Sequence, residues 1–358
     1  MKPFKNLRIV ELASVLAGPS VGLFFAELGA SVIKIENKLT GGDVTRSWKL
    51  GTENPDENTS AYFYSVNRLK KHLFLDFYDQ KDMNRCTNEI CKADIIICNF
   101  KKGDDKKFKL DFNSIKKIHP LIIYASINGF GENSERAAYD LILQAESGFM
   151  SINGERNSLP LKMPVALIDL LAGHQMKEAI LIALMQREKK QKAQKITVSL
   201  FDSAIASLAN QATNYLIAKT LPVQQGSIHP NIAPYGEIFK TKDNQLITFA
   251  IGTDKQFFSL LNCLKMEKSI DVTICQNNQL RVKNRNYIAS VLQMAICKIN
   301  FQALYSACLS KSIPIGKIRT IKEALELNQA SHMLISKKEN GKKITTVTSV
   351  AFDISFAG

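Results

Sequence analysis

Short apolar runs alternate with helix-like spacing of apolar residues through the N-terminal part of the chain. Runs that are apolar or alternating, and are bounded by turn residues, predict strands at residues 7–12, 31–36, 73–77, 93–98 and 121–126. Residues 20–28, 79–92 and 111–118 have helical spacing, and Ala-Gly-Pro at 17–19 is predicted to form a turn. This alternation predicts an α/β domain with a doubly wound parallel sheet, whose ligands bind beyond the carboxyl ends of the strands.

The rest of the chain continues this pattern and then changes. A strand is predicted at 195–200 and one long helix at 201–218, followed by a loop at 229–234 that its two prolines keep from being helical. Beyond it we predict a hairpin at 236–251 turning at Asp243-Asn244, helices within 254–311 and at 321–327, and a final hairpin through Asn340-Gly341. We therefore predict a large domain at 1–220, a smaller α+β domain at 221–325, and a C-terminal segment at 326–358 that returns towards the large domain.

One acidic residue stands out in the segment 161–186. The apolar run 165–168 ends at Asp169, and a helix with Ile180, Leu181, Leu184 and Met185 on one face is predicted to follow. A carboxylate at such a junction has two possible roles. It can be the N-cap of the helix, or it can be a nucleophile or base in a partly dry pocket.

The net charge of +14 comes with three lysine-rich runs, at 101–109, 189–195 and 337–343. Such runs are either solvated loops or a surface that attracts a polyanion, such as nucleic acid or a ligand with several phosphates. Aromatic residues are not interleaved with the lysines, and no nucleic-acid-binding motif is present. The sequence therefore predicts no nucleic-acid partner.

Several other classes of protein are also disfavoured. The seven cysteines are scattered and form no zinc spacing, which predicts reduced thiols in a cytoplasmic protein without a metal site. No apolar stretch is long enough for a membrane span, and the N-terminus lacks a signal-peptide core. Glu36 ends the second predicted strand, as in dinucleotide sites, but the first loop lacks the glycine spacing that cradles a pyrophosphate, so NAD binding is not expected.

Taken together, several stretches in the same order resemble the family III CoA-transferases, the group with formyl-CoA and carnitine CoA-transferases and their relative α-methylacyl-CoA racemase. The resemblance covers nearly the whole chain. It rests on ELASVLAGPSVG (11–22), LGASVIKIE (28–36), GGDVTR (41–46), NRLKK (67–71), NF (99–100), NGFG (128–131), AYDLILQAESG (138–148), PVALIDLLAG (164–173), SLFDSAIASLANQATNYL (199–216), HPNIAPYG (229–236) and IPIG (313–316).

The resemblance implies a Rossmann-like domain in an interlocked homodimer, with acyl-CoA and a small carboxylic acid as substrates and no permanently bound cofactor. It implies that Asp169 is the catalytic residue. Residues expected to bind CoA or the acyl substrate are Lys38, Lys70, Asn99, Phe100, Lys107, Tyr139 and Asp140. CoA carries several phosphates, so lysines at strand ends suit it as point charges.

The mechanism implied by the resemblance is covalent. Asp169 attacks the donor thioester and forms a mixed anhydride, and the released CoA thiolate then converts the anhydride to an aspartyl-CoA thioester. The acceptor acid repeats these steps in reverse. Backbone N–H groups of glycine-rich loops are the expected oxyanion donors.

The chain also departs from the family pattern. Leu16 stands where the best-known subgroup has a glutamine, Lys107 stands in place of an arginine, and no glycine run occurs between residues 236 and 252. Two alternatives therefore stay open. One is a racemase, although Tyr139 replaces its histidine and tyrosine is a poor base at neutral pH. The other is a CoA-binding homologue that has lost turnover.

Overall fold

The computed structural model describes residues 2–339 and 341–355. The chain forms two compact units, which we describe separately. The first consists of Met1–Met150, Lys162–Leu221 and His332–Gly358, and the second of Ser151–Leu161 and Pro222–Ser331.

The strands are β1 (Arg8–Leu12), β2 (Ser31–Asn37), β3 (Lys71–Leu75), β4 (Ile95–Cys98), β5 (Ile123–Asn128), β6 (Gln194–Ser199), β7 (Tyr235–Lys240), β8 (Leu246–Ala250), β9 (Ile315–Lys317), β10 (Leu334–Glu339) and β11 (Lys342–Val347). The helices are α1 (Ala17–Glu27), α2 (Ala61–Asn67), α3 (Gln80–Ile90), α4 (Asp104–Lys107), α5 (Phe112–Ile118), α6 (Asp140–Glu146), α7 (Phe149–Ile152), α8 (Leu167–Lys190), α9 (Leu200–Ala206), α10 (Ala209–Leu216), α11 (Asp254–Cys263), α12 (Asn278–Lys283), α13 (Arg285–Ile296), α14 (Phe301–Ser310) and α15 (Ile321–Leu325). Short 3₁₀ turns lie at Lys38–Thr40, Val44–Ser47, Val272–Ile274 and Asn328–Met333.

The first unit is built on a parallel sheet of six strands in the order β3-β2-β1-β4-β5-β6. Alternate residues of β4 face opposite sides: Ile95 and Ile97 join the core with α1 and α8, whereas Ile96 and Cys98 join the core with α3 and α5. The predicted doubly wound α/β fold is confirmed. Its strand order reverses between β1 and β4, which is where ligands bind in sheets of this kind.

Helix α1 begins at Ala17, so the predicted turn at 17–19 is wrong. Pro19 is the third residue of the helix, where a backbone N–H has no intrahelical partner and its loss is harmless. Gly18 is required there, because a Cβ at this position would lie 2.4 Å from the Cβ of Ala13. The same close approach brings the start of α1 down onto the end of β1.

Helix α8 begins at Leu167, so the apolar run before Asp169 belongs partly to the helix itself. The predicted apolar face is only partly right. Ile180 is buried, but Leu181 and Met185 are exposed, Met185 by 77%. The buried stripe instead repeats every four residues where α8 packs against the sheet and α1, through Ile168, Ala172, Met176 and Ile180.

The single helix predicted at 201–218 is also wrong, because α9 and α10 are separate. The break lies at Ser207 and Leu208, and Ala209 has a φ of 47°. The Ser203 and Ser207 hydroxyls donate to carbonyls four residues earlier, at 2.7 Å each, and this local bonding weakens a continuous helix.

The second unit has the antiparallel sheet β7-β8-β9, and its core lies between that sheet and α11, α13 and α14. The predicted hairpin at its start is confirmed, with Asn244 at a φ of 60° in the turn. In the first unit, β10 and β11 pair as an antiparallel hairpin. Of its predicted turn, Asn340 lies outside the described residues. Within the described part of the chain, no helix is long and apolar enough to cross a membrane.

Candidate active site

Asp169 is the third residue of α8, and its side chain is buried, with 6% of the residue exposed. The N-cap of α8 is Ala166, so of the two roles that the sequence left open for Asp169, that of capping this helix is wrong. The carboxylate is therefore not used to satisfy the backbone at the helix end. It stays available for another role.

The cap of α8 comes from another helix. Asp140, the first residue of α6, accepts the N–H of Ile168 at 2.7 Å and that of Asp169 at 3.3 Å through Oδ1. Its other oxygen accepts a bond of 2.6 Å from Gln144 Nε2, while Gln144 Oε1 accepts the N–H of Met163 at 2.7 Å. Asp140 and the buried Gln144 thus fix both the first turn of α8 and the chain that leads into it.

Helix α1 meets the same region from the other side. The backbone N–H of Ala17 interacts with the Asp169 carboxylate. Because Ala17 is the first residue of α1, this N–H has no partner within the helix. Gly173, one turn beyond Asp169, makes this approach possible. A Cβ there would lie 2.5 Å from Ser20 Oγ and 3.4 Å from the Ala17 carbonyl oxygen.

Burial raises the pKa of Asp169 to about 7, and the negative charge of Asp140 adds to the rise, while the Ala17 amide opposes it. Tyr62, on α2, lies within electrostatic range of the same carboxylates. Burial, together with the charges of Asp169 and Asp140, raises its pKa to about 12. The site therefore combines a buried carboxyl group of raised pKa with a phenol that keeps its proton at neutral pH.

The loop between β1 and α1 lies at the point where the strand order reverses. Asn99, directly after β4, holds this loop by accepting the Ser14 N–H at 3.0 Å and donating to the Ser14 carbonyl at 2.9 Å. Phe100, the next residue, is partly buried and packs on the core between the sheet, α3 and α5. Both residues were predicted to contact CoA. Their position at the switch point, where the strand order reverses, suits that prediction.

Lys70 was also predicted to contact CoA, and its ammonium group is fully buried. It lies 2.9 and 2.7 Å from the two Glu11 oxygens, 2.8 Å from the Pro19 carbonyl oxygen and 3.2 Å from Asn67 Oδ1. Burial lowers the pKa of Lys70 to about 8, although Glu11 opposes the shift. The described contacts make Lys70 part of the support beneath α1, and a contact with CoA stays a prediction.

The remaining predicted residues lie on the surface. Lys38 is exposed in the 3₁₀ turn after β2. Lys107 ends α4 and donates to the Tyr78 hydroxyl at 2.8 Å. Tyr139 precedes α6 and is 56% exposed. These three positions also stay predictions.

Sequence analysis missed two aromatic residues. Tyr62 faces Asp169, and Trp48 meets the Tyr62 ring edge-on with centroids 5.1 Å apart. Trp48 is the only tryptophan of the chain, which was a usable signal in the sequence. Tyr62 gave no comparable signal, because its place near Asp169 depends on how α2 packs on α1.

This arrangement suits nucleophilic chemistry. It offers a desolvated carboxylate of raised basicity, the N-terminal amide of α1 bound to that carboxylate, and a neutral phenol. Among residues 2–339 and 341–355, no group of three or more His, Cys, Asp or Glu side chains could hold a metal ion. The fold and this site define a protein of the α/β class whose candidate nucleophile lies at a helix N-terminus next to the switch point of the sheet.

Comparison with known proteins gives the family. The model of CoA-transferase family III matches residues 4–357, and the chain belongs to that family. It is 37% identical to a succinate–glutarate CoA-transferase of Agrobacterium fabrum, over 90% of this chain and 81% of that protein. It is 35% identical to a succinyl-CoA:glutarate CoA-transferase of Mus musculus, over 93% of this chain and 76% of that protein.

A solved structure agrees with this assignment. The crystal structure of a CAIB/BAIF family protein from Brucella suis is 33% identical, has a TM-score of 0.86, and covers 99% of this chain and 93% of that one. The predicted family resemblance is confirmed, and the protein is a CoA-transferase.

Proposed function

We propose that this enzyme transfers CoA between a short dicarboxylyl-CoA and a free dicarboxylic acid, with Asp169 as the nucleophile. The observation that carries the proposal is the buried Asp169 carboxyl group, which does not cap its helix and faces the Ala17 amide. The substrate class rests on the names of the two relatives above, both of which act on succinyl or succinate and glutarate.

In the first half of the proposed reaction, ionised Asp169 attacks the carbonyl carbon of the donor thioester. The C–S bond breaks, giving a mixed anhydride and CoA thiolate. The thiolate then attacks the carbonyl carbon of the Asp169 side chain, and the donor acid leaves as a carboxylate. The enzyme now holds CoA as an aspartyl thioester.

In the second half, the acceptor carboxylate attacks the same aspartyl carbonyl and releases the thiolate. The thiolate attacks the carbonyl of the acceptor in the new anhydride, which yields the product thioester and frees Asp169. Each attack creates an oxyanion on or beside the aspartyl carbonyl. The Ala17 N–H is the protein donor that supports this charge, because it already interacts with the Asp169 carboxylate.

The raised pKa of Asp169 has two effects on this chemistry. A more basic carboxylate is a better nucleophile, but only its ionised form attacks. With a pKa of about 7, the ionised fraction at neutral pH is still substantial. Turnover is therefore expected to rise with pH through this value.

For CoA itself we propose a path along the carboxyl ends of the strands. Asn99 and Phe100 follow β4. Lys38 is exposed directly after β2, and Lys107 is exposed on α4. The lysines would meet phosphates as point charges, and Phe100 would offer a ring edge or face to the adenine.

The same geometry argues against racemisation. A racemase needs bases on both sides of an α-carbon, and Asp140 is the candidate for one of them. Both of its oxygens already accept hydrogen bonds, from the first turn of α8 and from Gln144. We therefore propose a positioning role for Asp140 and a transfer reaction for the site.

We further propose a homodimer in solution. Large apolar side chains on α8 and at the end of α10 are exposed in the single chain: Ile182 by 55%, Met185 by 77%, Leu216 by 62%, and Ile217, next to α10, by 80%. A second copy would bury this surface. Light scattering should give twice the mass of one chain, and Ile217→Asp should reduce it while Ile118→Asp on α5 should not. A wild-type monomer that is active at micromolar concentration would contradict the proposal.

The proposed reaction is tested by incubating the enzyme with succinyl-CoA and one free acid at a time, with glutarate, oxalate, mesaconate and acetate as the series. Mass spectrometry should detect a new acyl-CoA with glutarate and much less with acetate. Hydroxylamine added during turnover should convert Asp169 to a hydroxamate in the corresponding peptide.

Two variants complete this experiment. Asp169→Asn should abolish CoA exchange and the hydroxamate while the fold persists. Asp202→Asn removes an exposed acid from the first turn of α9 and should change neither. Hydroxamate on another residue, or exchange by Asp169→Asn at a rate comparable to the wild type, would disprove the role of Asp169.

A further inference from the structure

The loop between β1 and α1 has a backbone conformation that its sequence does not favour. Val15 has a φ of 71°, in the left-handed region. A β-branched residue rarely adopts this conformation, and it persists only where the surroundings over-determine it. The chain then passes through Leu16 into Ala17, whose N–H interacts with Asp169. The strain therefore lies two residues before the amide that the proposed reaction uses.

Side chains from three other segments hold this loop by its backbone. Lys34 on β2 donates to the Ala13 carbonyl at 2.5 Å, and Asn99 binds both the N–H and the carbonyl of Ser14. The Val15 N–H donates to the Asp43 carboxylate, with its nitrogen 3.3 and 3.2 Å from the two oxygens. Ala13, Ser14 and Val15 thus each have a backbone partner from elsewhere in the fold.

Asp43 is the centre of this arrangement. Its side chain is fully buried and lies 3.0 Å from the Lys34 ammonium group, and it accepts the N–H and the hydroxyl of Thr45 at 3.0 and 2.8 Å. Lys34 in turn lies 3.0 Å from Glu11, which also pairs with the buried Lys70. The loop rests on a network of buried charges that are paired with one another, which is a rigid support.

We infer that Asp43 is a positioning residue for the transfer reaction: by holding the Val15 N–H it fixes the strained turn that aims the Ala17 amide at Asp169. The inference rests on the proposed function of Asp169. It gives a role in the reaction to the bond between the buried Asp43 carboxylate and the backbone of Val15. A misplaced amide would leave the Asp169 carboxylate and its oxyanions without their donor.

The test uses the pH dependence of the first half-reaction, because this separates position from charge. The charged and titratable groups facing Asp169 are Asp140 from α6 and Tyr62 from α2, with the Asp43 network behind the loop. The quantity measured is the pH midpoint, the pH at which the rate of adduct formation is half its maximum. Removing the negative charge of Asp43 would by itself favour ionisation of Asp169 and shift this midpoint to lower pH. Losing the Ala17 amide would disfavour ionisation and shift the midpoint to higher pH.

Two variants of Asp43 divide these effects. Asp43→Ala removes both the charge and the acceptor of the Val15 N–H. Asp43→Asn removes the charge but keeps an oxygen that can accept it. We expect Asp43→Ala to form the aspartyl-CoA adduct about 100-fold more slowly, the loss that accompanies a displacement of about 1 Å. Its midpoint should move to higher pH, whereas Asp43→Asn should keep most of the rate and not move upwards.

Asp94→Ala is the matched control. Asp94 also accepts a backbone N–H, that of Arg8 at 2.9 Å, and pairs with Arg187 at 2.8 Å, but it lies at the opposite end of β1. Its replacement should lower the Tm without moving the pH midpoint. Hydrogen exchange followed by mass spectrometry should show faster exchange of residues 13–17 in Asp43→Ala and not in Asp94→Ala.

Each result has a defined meaning. If Asp43→Ala keeps the wild-type midpoint and rate, or if its midpoint falls, the inference is wrong and the proposed function stands. If Asp43→Ala does not fold, Val15→Pro removes the N–H that Asp43 holds and forces φ out of the left-handed region without removing a buried charge. It should exchange faster at 13–17 and react more slowly, and wild-type kinetics in Val15→Pro would overturn the inference. If the wild type forms no aspartyl adduct, the proposed function fails and the inference fails with it.

Discussion

Asp140 Oδ1 lies 3.3 Å from the backbone nitrogen of Asp169, so one acid caps the helix that carries the other. The two side chains therefore divide two roles that sequence analysis left open for a single residue. Asp140 satisfies the N-terminus of α8, and the Asp169 carboxyl group is not needed for that purpose. The proximity also raises the pKa of Asp169, after the larger effect of burial.

The first prediction concerns the charge of Asp140. Asp140→Asn removes a negative charge next to Asp169, so the pH midpoint of adduct formation should fall below that of the wild type. Asp140→Ala should lower it as well and should also lose the cap of α8, which is worth about 1 kcal/mol of stability. Initial rates of adduct formation across pH 5 to 9, together with thermal melting, measure both effects.

Asp111→Ala is the control for this prediction. Asp111 caps α5 by accepting the N–H groups of Asn113 and Ser114, so its removal deletes both a charge and a cap far along the chain from Asp169. It should lower the Tm and leave the midpoint where it was. A midpoint that rises in Asp140→Asn would contradict the electrostatic part of the account.

The second prediction concerns stability and pH. The pKa of Asp169 is raised from 3.8 to about 7 on folding, so between these values the unfolded chain is ionised while the folded protein holds the proton. In this window the folded state binds more protons, and the contribution of Asp169 to stability must fall as pH rises. A shift of this size corresponds to on the order of 4 kcal/mol, lost between about pH 4 and pH 7.

Asp169→Asn removes this dependence, because the amide does not titrate. Its free energy of unfolding should be close to that of the wild type near pH 4 and should exceed it by a growing margin up to pH 7, with little change above. Denaturant titrations at four or five pH values measure the difference. An unchanged difference across the range would mean that Asp169 titrates normally in the folded protein.

The third prediction concerns the contact between α1 and α8. Gly173→Ala gains about 1 kcal/mol of helix propensity, but its Cβ would lie 2.5 Å from Ser20 Oγ. Ser20 Oγ is buried and donates to the Ala17 carbonyl at 2.7 Å, so it has little freedom to move. We expect a net loss of about 1–3 kcal/mol and slower adduct formation, because α8 would move away from the Ala17 amide.

Ser20→Ala in the same chain should repair this defect. The atoms left near the new Cβ would be the Ala17 oxygen at 3.4 Å and the Ser20 Cβ at 3.9 Å, which are ordinary contacts. The double variant should melt above Gly173→Ala, and its rate should approach that of Ser20→Ala alone. Equal rates for Gly173→Ala and the wild type would show that the spacing of these helices does not matter for the reaction.

The strands of the large sheet could be predicted from sequence because each is a short apolar run between polar turns. The bounds of β2 and β4 differ from the prediction by two residues or fewer. The start of α8 could not be predicted as well. Its cap is Asp140, 28 residues before Ile168, and no pattern within the helix itself indicates that partner.

The candidate site shows the same limit. Asp169 could be recognised from an acid set between an apolar run and a helix, together with the family resemblance. Tyr62 could not, since its approach to Asp169 depends on the packing of α2 and not on local spacing. Lys70 shows that a lysine in a matching motif can lie beneath the site, with its charge paired to Glu11.

The last prediction concerns the CoA phosphates. Lys107 is exposed on α4 beyond the carboxyl end of β4, whereas Lys92 is exposed before the amino end of the same strand. If CoA lies along the carboxyl ends, Lys107→Met should weaken CoA binding and Lys92→Met should not, although both change the net charge by the same amount. Calorimetry at low and high salt measures this. Wild-type affinity should fall as salt screens the phosphates, and the fall should be smaller in Lys107→Met. Equal affinities and equal salt dependence for the two variants would mean that the basic excess acts only through the overall field of the protein, and that the phosphates lie away from α4.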